Sequence, residues 1–282
     1  MNLNTALKLG RTSNLPTVWT NVLAGAVLAG GVLESTTLVL AVLAASALYE
    51  GGMFLNDAFD AEIDAEERPE RPIPAGEVSR ATVWRWGYGL LALGVALAFA
   101  ARPTAGLAAL ATSAAIVFYD ARHKQIALSP VVMGLCRFGV YAIGGFAVTS
   151  RPAAALWLGA LLLMGYVLGL TYAARFENSG GIGRWGPLLG LAAPVVVVLV
   201  TWSGAPLLRS FLGGYALWVQ RAISQIRSGK PQKIRAAVGG LIAGIALLDA
   251  VMLANSGATS LAMLCVGAFG VCLAAQSRIA GT

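Results

Sequence analysis

The chain has 282 residues, of which 57% are hydrophobic and only 12% are charged. Ordinary soluble domains contain about 25% charged residues, so this composition excludes a typical soluble domain and predicts a polytopic helical membrane protein embedded in a lipid bilayer. The formal net charge of +7 would suggest nucleic-acid binding in a soluble protein. In a membrane protein it indicates basic cytoplasmic loops and anionic substrate groups, so we expect no nucleic-acid partner.

Most of the apolar runs reach the roughly 17 to 25 residues that a bilayer crossing needs. They predict an all-α transmembrane bundle of nine to ten spans, built as a single domain over residues 1–282. The predicted spans cover roughly residues 16–33, 35–55, 82–101, 104–118, 128–148, 153–174, 187–202, 206–219, 236–254 and 259–275. The segment at 206–219 is short and continues into a basic stretch, which leaves the count between nine and ten. We expect no cleavable signal peptide, because residues 1–10 lack an apolar core.

Cysteine and histidine offer little metal chemistry in this chain. Cys136, Cys265 and Cys272 lie within apolar runs without metal-ligand spacing, so we expect buried thiols. The one histidine, His123, cannot form a histidine-based metal site alone.

An acidic motif follows the second span. Asn56, Asp57, Asp60 and Asp64 read N-D-x-x-D-x-x-x-D, and on a helix they occupy an arc of roughly 100°. Like charges at this spacing repel one another, so a cation is needed to offset them. Mg²⁺ fits, because it takes one or two carboxylates and shares its other positions with phosphate oxygens. The alternative is a solvated acidic loop without a ligand.

Other polar groups lie near this motif or inside the predicted spans. Arg68 and Arg71 follow the motif in a proline-rich turn and can bind phosphate or pair with the acidic helix. Arg137 lies well inside span five, so we expect it to face a polar cavity or a carboxylate. Asn21 lies in span one and needs a partner in the bundle. Asp249 in span nine either pairs with a cation such as Arg137 or lies in a polar passage.

The polar loops recur after every second span, so they are expected to converge on one membrane face. Residues 119–124 form one such predicted loop, and the segments 66–76, 175–184 and 221–235 form others. Because basic residues concentrate there, the positive-inside rule places this face in the cytoplasm. We therefore expect a multi-pass protein of the cell (inner) membrane, with a central cavity open to the cytoplasm.

The motifs resemble the UbiA superfamily of intramembrane prenyltransferases. The resemblance rests on Arg11 and residues 14–21 before and within span one, on the acidic motif with its Arg-Pro tail, and on the Tyr119–Lys124 element. Tyr119-Asp120-Ala121 with Lys124, followed by residues 133–137, looks most like the EboC-like branch. The resemblance implies a helical bundle in which aspartates and Mg²⁺ hold an isoprenyl diphosphate, and a prenyl transfer to a small-molecule acceptor.

The predicted site combines this resemblance with the positions of the polar groups. The metal ligands are predicted to be Asn56, Asp57, Asp60 and Asp64, with Glu177 and Asn178 in a second motif after span six. The catalytic residues are predicted to be Asp60, Asp64, Tyr119 and Lys124. The substrate-binding residues are predicted to be Arg11, Asn21, Arg71, Arg137 and Arg175.

The chain departs from the family pattern at two places. The second motif offers Glu177 and Asn178 where two acidic residues are expected, which puts a second metal in doubt. The spacing from Tyr119 to Lys124 is one residue longer than the common form, which places His123 at the expected lysine position.

Two functions remain open on the sequence. The first is Mg²⁺-dependent prenyl transfer to an aromatic or other nucleophilic acceptor. The second is a non-catalytic carrier or transporter of an isoprenoid or amphiphilic precursor, which the weakened second motif favours and the intact first motif opposes. A CDP-alcohol phosphotransferase is excluded, because the D-G-x-x-A-R segment that it requires ahead of its other aspartates is absent.

Overall fold

The structure is a computed structural model that describes residues 1–175 and 186–279. The described residues contain eleven α-helices and no β-strand, so the prediction of an all-α chain is confirmed for them. The α-helices are α1 (Leu3–Leu9), α2 (Leu15–Leu28), α3 (Ser35–Glu67), α4 (Arg80–Ala101), α5 (Pro103–Arg122), α6 (Ser129–Val148), α7 (Ala154–Ala174), α8 (Leu189–Val200), α9 (Leu208–Arg227), α10 (Pro231–Asn255) and α11 (Thr259–Gln276). Short 3₁₀ turns at Thr12–Asn14 and Gly186–Leu188 lead into α2 and α8.

Seven helices of the described chain are long and apolar enough to cross a membrane. They are α3, α4, α5, α6, α7, α10 and α11. Helices α2 and α8 are apolar but have 14 and 12 residues, fewer than the roughly 20 that a full crossing requires. The count of nine to ten spans therefore stays a prediction, as does the side of the membrane on which the cavity opens.

Helix α3 carries the acidic motif beyond its apolar part. Its 33 residues extend about 50 Å, whereas the hydrocarbon core of a bilayer is about 30 Å thick. The helix ends at Glu67 because Pro69 disfavours helical backbone at Arg68. The motif thus lies on a continuous helix that also spans the bilayer.

Several predicted boundaries were wrong. The basic segment 221–235, predicted as a polar loop, is mostly helical, because α9 continues to Arg227 and α10 begins at Pro231. The segment from Tyr119 to Arg122, predicted as a polar loop, is the last turn of α5. It contains no glycine or proline, so nothing in the chain interrupts the helix before His123. The first span was predicted to reach residue 33, but α2 ends at Leu28, and Gly30 takes a left-handed backbone with φ of 75°.

Helices α2 and α6 pack at backbone distance through glycines. A Cβ atom added to Gly25 would lie 2.3 Å from the carbonyl oxygen of Tyr141, and one added to Gly144 would lie 2.2 Å from that of Val22. Small residues at such crossings let helices associate in lipid, where no hydrophobic effect drives them together. This contact fixes α2 against α6 in the centre of the bundle.

We expect Gly144→Ala to lower the thermal stability of the purified protein in detergent, because the added methyl group forces α2 and α6 apart. Overpacking of this kind costs about 1–3 kcal/mol. Gly89→Ala is the matched control, since nothing lies within 4 Å of a Cβ added at that exposed helical position. Equal melting temperatures for the two variants would show that the α2–α6 contact does not limit stability.

Candidate active site

A cavity of about 750 Å³ lies between helices α2, α3, α5, α6, α7 and α10. Its lining changes from apolar to polar along these helices. On α3 the lining residues pass from Leu48 and Gly52 to Asn56, Asp60 and Asp64. The other helices add apolar side chains that include Val18, Ile116, Val140, Val167, Ile242 and Ile245. The cavity therefore has the shape and polarity that suit a molecule with a charged head and an apolar body.

The four polar side chains of the α3 motif meet different partners around the helix. Asn56 donates from Nδ2 to Asp120 Oδ1 of α5 at 3.3 Å. Asp60 lies 3.3 Å from Lys124 Nζ and 3.5 Å from His123 Nε2. Asp64 Oδ2 accepts a hydrogen bond from Arg71 Nη1 at 2.7 Å. The arc predicted from the sequence is thus surrounded by groups that can bond to it.

Asp57 differs from the other members of the motif. Its Oδ1 atom accepts from Arg11 Nη2 at 3.0 Å and lies 3.4 Å from Arg71 Nη1. It is buried and does not line the cavity. Its carboxylate faces Arg11 in the segment before α2 rather than the cavity. Its role as a metal ligand stays a prediction, and the structure places it outside the cavity lining.

Arg11 approaches the motif from the turn between α1 and α2. Its backbone is left-handed, with φ of 43°, an uncommon conformation that persists only where its surroundings fix it. Burial opposes its charge, but the carboxylates of Asp57, Asp120 and Asp64 outweigh burial and raise the pKa of Arg11 above its ordinary value. Arg11 therefore stays charged beside the acidic motif.

The end of α5 and the start of α6 form the opposite wall. Tyr119 lines the cavity and stacks on the His123 ring, with ring centroids 5.0 Å apart. Arg175 at the end of α7 also lines the cavity, and it donates to Ser129 Oγ and to the carbonyl oxygen of Ala127. Arg175 thereby holds the start of α6 in place at the cavity wall.

A buried polar network lies behind Arg137. Arg137 lines the cavity and donates from Nη1 to Asn21 Oδ1 at 3.0 Å. Asn21 donates in turn from Nδ2 to Asp249 Oδ2 at 2.8 Å, and Tyr141 donates to Asp249 Oδ1. Asn21 and Asp249 are both fully buried. Asn21, predicted to contact substrate, is thus not on the cavity wall, and it links Arg137 to Asp249.

Asp120 is a cavity residue for which the sequence analysis predicted no role. It is 5% exposed, lines the cavity and accepts from Asn56 through Oδ1. Its Oδ2 atom has no hydrogen-bond partner in the described part of the chain. An acidic residue next to Tyr119, at the end of an apolar span, was the available signal. Because residues 119–124 were predicted to form a loop, the direction of the Asp120 side chain could not be inferred from the helical period.

The described ranges 1–175 and 186–279 contain no group of three aspartate, glutamate, histidine or cysteine side chains arranged to hold a metal. Of the cavity carboxylates, Asp60 and Asp64 are instead paired with basic side chains, and Asp120 accepts a hydrogen bond from Asn56. Glu177 and Asn178, predicted as a second motif, lie outside the described residues.

Comparison with protein families gives a match to the UbiA prenyltransferase family over residues 17–245. Among curated relatives, the digeranylgeranylglyceryl phosphate synthase of Methanopyrus kandleri is 36% identical over 152 residues, which are 54% of this chain and 56% of the relative. The corresponding synthase of Metallosphaera sedula is 36% identical over 129 residues, or 46% of this chain and 40% of the relative. The chain thus matches about half the length of these curated relatives.

Solved structures share the fold over most of the chain. A structure of a digeranylgeranylglyceryl phosphate synthase in membranes has a TM-score of 0.64 at 18% identity, and the match covers 90% of this chain and 98% of that one. A UbiA homologue from Archaeoglobus fulgidus bound to DMAPP and Mg²⁺ has a TM-score of 0.56 at 14% identity, with 98% and 100% covered. At this identity the likeness concerns the fold alone.

We expect Asp249→Ala to destabilise the protein strongly in detergent, as measured by thermal unfolding. The substitution removes the acceptor from the Tyr141 hydroxyl and the Asn21 amide, and each buried unsatisfied group costs about 1–3 kcal/mol. Glu66→Ala is the control, because Glu66 is an exposed carboxylate on α3. An Asp249→Ala variant as stable as this control would contradict a structural role for the network.

Proposed function

The chain belongs to the UbiA prenyltransferase family, and on this premise we propose that it is a Mg²⁺-dependent prenyltransferase acting inside the membrane. It transfers an isoprenyl group from an isoprenyl diphosphate to the hydroxyl group of a prenylated glycerol phosphate. The observation that carries the proposal is the cavity itself, in which Asp60, Asp64 and cationic side chains line one end and apolar helices line the rest. We place the whole function in one domain over residues 1–282.

The residues at the polar end fit a Mg²⁺ ion. Asp60 and Asp64 supply carboxylate oxygens at the cavity wall, and Asn56 supplies an amide oxygen. Mg²⁺ prefers such oxygen ligands and takes one or two carboxylates together with substrate phosphate oxygens. When bound, it would stabilise the negative charge that accumulates on the departing diphosphate.

Cationic side chains beside the carboxylates bind the diphosphate. Lys124 is partly exposed and holds Asp60 at 3.3 Å, so its flexible side chain can exchange that carboxylate for a phosphate oxygen. Arg71 lies beside Asp64, and its planar guanidinium suits bidentate contact with phosphate. Arg137, deeper in the cavity, adds a third positive charge.

The chemistry requires a dry, apolar cavity body. The C–O bond of the isoprenyl diphosphate breaks, diphosphate leaves, and an allylic cation remains. The acceptor hydroxyl oxygen then forms the new ether bond, and its proton passes to an oxygen of the released diphosphate. Apolar side chains such as Ile116 and Val140 exclude water that would otherwise capture the cation. The faces of Tyr49 and Tyr119, which line the cavity, steady it.

The acceptor class comes from the curated relatives, which are named as synthases of digeranylgeranylglyceryl phosphate. Such a product carries a phosphate in addition to its two prenyl chains. Arg68 lines the cavity, and its guanidinium makes no hydrogen bond or ion pair with any described residue. This cation is therefore available for the acceptor phosphate, a group that an aromatic acceptor does not require.

We place the polar end at the cytoplasmic face of the cell membrane, because the basic loops cluster there. The EboC-like branch stays a prediction.

The experiment measures diphosphate release from geranylgeranyl diphosphate by the purified protein with Mg²⁺, using either a geranylgeranylated glycerol phosphate or a hydroxybenzoate as acceptor. We expect release with the glycerol phosphate. Asp60→Ala and Asp64→Ala should each lower turnover by at least about 100-fold, since each removes charge stabilisation in the transition state.

Glu66→Ala is the control for these variants and should retain activity, because its side chain is exposed on the same helix. Turnover in either aspartate variant at the level of this control would contradict the assigned role. Saturable isoprenoid binding without diphosphate release, with either acceptor, would favour the carrier function.

We expect Arg68→Ala to raise the KM for the phosphorylated acceptor about tenfold, because a hydrogen bond to a charged group contributes roughly 1.5 kcal/mol. The KM for the isoprenyl diphosphate should change little. Arg85→Ala on the exposed face of α4 is the control. If only the KM for the isoprenyl diphosphate rises, Arg68 binds the diphosphate and not the acceptor phosphate.

A further inference from the structure

Asp120 on α5 differs from the cavity carboxylates of the α3 motif. Those carboxylates have cationic partners, whereas Asp120 has none among the described residues. Asp60 contacts Lys124 and His123, and Asp64 contacts Arg71. Within the described residues, Asp120 forms no ion pair, and its Oδ2 atom forms no hydrogen bond. Yet Asp120 is 5% exposed, so water does not readily compensate for these missing partners. Buried carboxylates are normally paired with a cation or coordinated to a metal ion.

The bond between Asn56 and Asp120 also fixes the Asn56 amide. Asn56 turns its NH₂ group toward Asp120 and donates from Nδ2 to Oδ1 at 3.3 Å. The amide oxygen of Asn56 is thereby left for another partner. Both Asn56 and Asp120 line the cavity, so the amide oxygen and Asp120 Oδ2 are two unused oxygen acceptors on neighbouring helices.

Asp60 adds a third oxygen donor to this wall. It lies one helical turn beyond Asn56 on α3 and also lines the cavity. Its current partners are a partly exposed lysine and a histidine at 3.5 Å, and the flexible lysine can exchange this carboxylate for another anion. An amide oxygen with two carboxylates is a donor set that suits a hard divalent cation.

We infer that Asp120 is a direct ligand of a divalent cation, held jointly with Asn56 and Asp60 on the α5 side of the cavity. This inference rests on the proposed Mg²⁺-dependent function and adds a ligand from outside the acidic motif of α3. It assigns the unpartnered Oδ2 atom to the metal and the Oδ1 atom to the orientation of Asn56. Helix α5 thereby contributes charge to the site as well as a wall.

If Asp120 is a metal ligand, removal of its charge should affect the melting temperature in the opposite way from removal of a structural carboxylate. Asp120→Asn keeps the shape and can still accept the hydrogen bond from Asn56. Without metal, this variant should melt at the same temperature as the wild type or higher, because a buried unpaired charge is lost. A structural carboxylate would instead give a lower melting temperature.

The test titrates Mn²⁺ into the purified protein in detergent, without substrate, and measures its dissociation constant by electron paramagnetic resonance. Thermal unfolding with and without Mn²⁺ gives a second measurement, since a ligand that binds the folded state raises its stability. We expect Asp120→Asn to raise the dissociation constant at least tenfold and to reduce the Mn²⁺-dependent rise in melting temperature. Asp60→Asn should do the same, and Glu66→Gln should change neither. Asp120→Ser, which is also neutral, gives the same comparison if the asparagine variant is not produced.

The outcomes separate this inference from the proposed function. If Asp60→Asn weakens Mn²⁺ binding and Asp120→Asn leaves it within twofold of the wild type, Asp120 is not a ligand, while the proposed function stands. If Asp120→Asn binds Mn²⁺ normally but loses turnover, Asp120 acts on the acceptor proton and the inference is also overturned. If the wild type binds no Mn²⁺ with or without inorganic pyrophosphate, the proposed metal dependence itself fails.

Discussion

The site depends on the neutralisation of closely spaced carboxylates at the end of a membrane helix. Asp57, Asp60 and Asp64 lie within two turns of α3, and their mutual repulsion would destabilise the helix if it were not compensated. Compensation comes from three separate segments: Arg11 before α2, Arg71 after α3, and His123 with Lys124 after α5. The ion pairs therefore draw the ends of several helices together around one cavity.

In the proposed function the same arrangement binds both an anion and a cation. In the structure the basic side chains pair with Asp57, Asp60 and Asp64. In the proposed complex a divalent ion takes the carboxylates, and the basic side chains turn to the diphosphate. Asp57 does not take part in this exchange, because it is buried between Arg11 and Arg71. It serves instead to hold those two arginines close to the site.

Deeper in the bundle, buried polar side chains are joined by hydrogen bonds. Arg137 carries a charge among apolar helices, where isolated charges are costly. Its bond to Asn21, and the bonds of Asn21 and Tyr141 to Asp249, connect α6, α2 and α10 through one network. The close α2–α6 contact at Gly25 and Gly144 places Asn21 within reach of both partners. The network thus links the packing of the bundle to the position of a cavity cation.

The sequence by itself determined the helical class, most helix boundaries and the acidic face of α3, because these follow from hydrophobic run length and the helical period. Pairings between helices could not be read from it, since they depend on side chains far apart in the chain. Asn21 and Asp249 bond although they are separated by 228 positions. The helical continuation through Tyr119 and Asp120 was also missed, because polar composition alone does not distinguish a loop from the last turn of a helix. Only the tertiary structure placed Asp57 away from the cavity and Asp120 at its wall. The direction of each side chain relative to the cavity depends on which neighbouring segments pack against its helix.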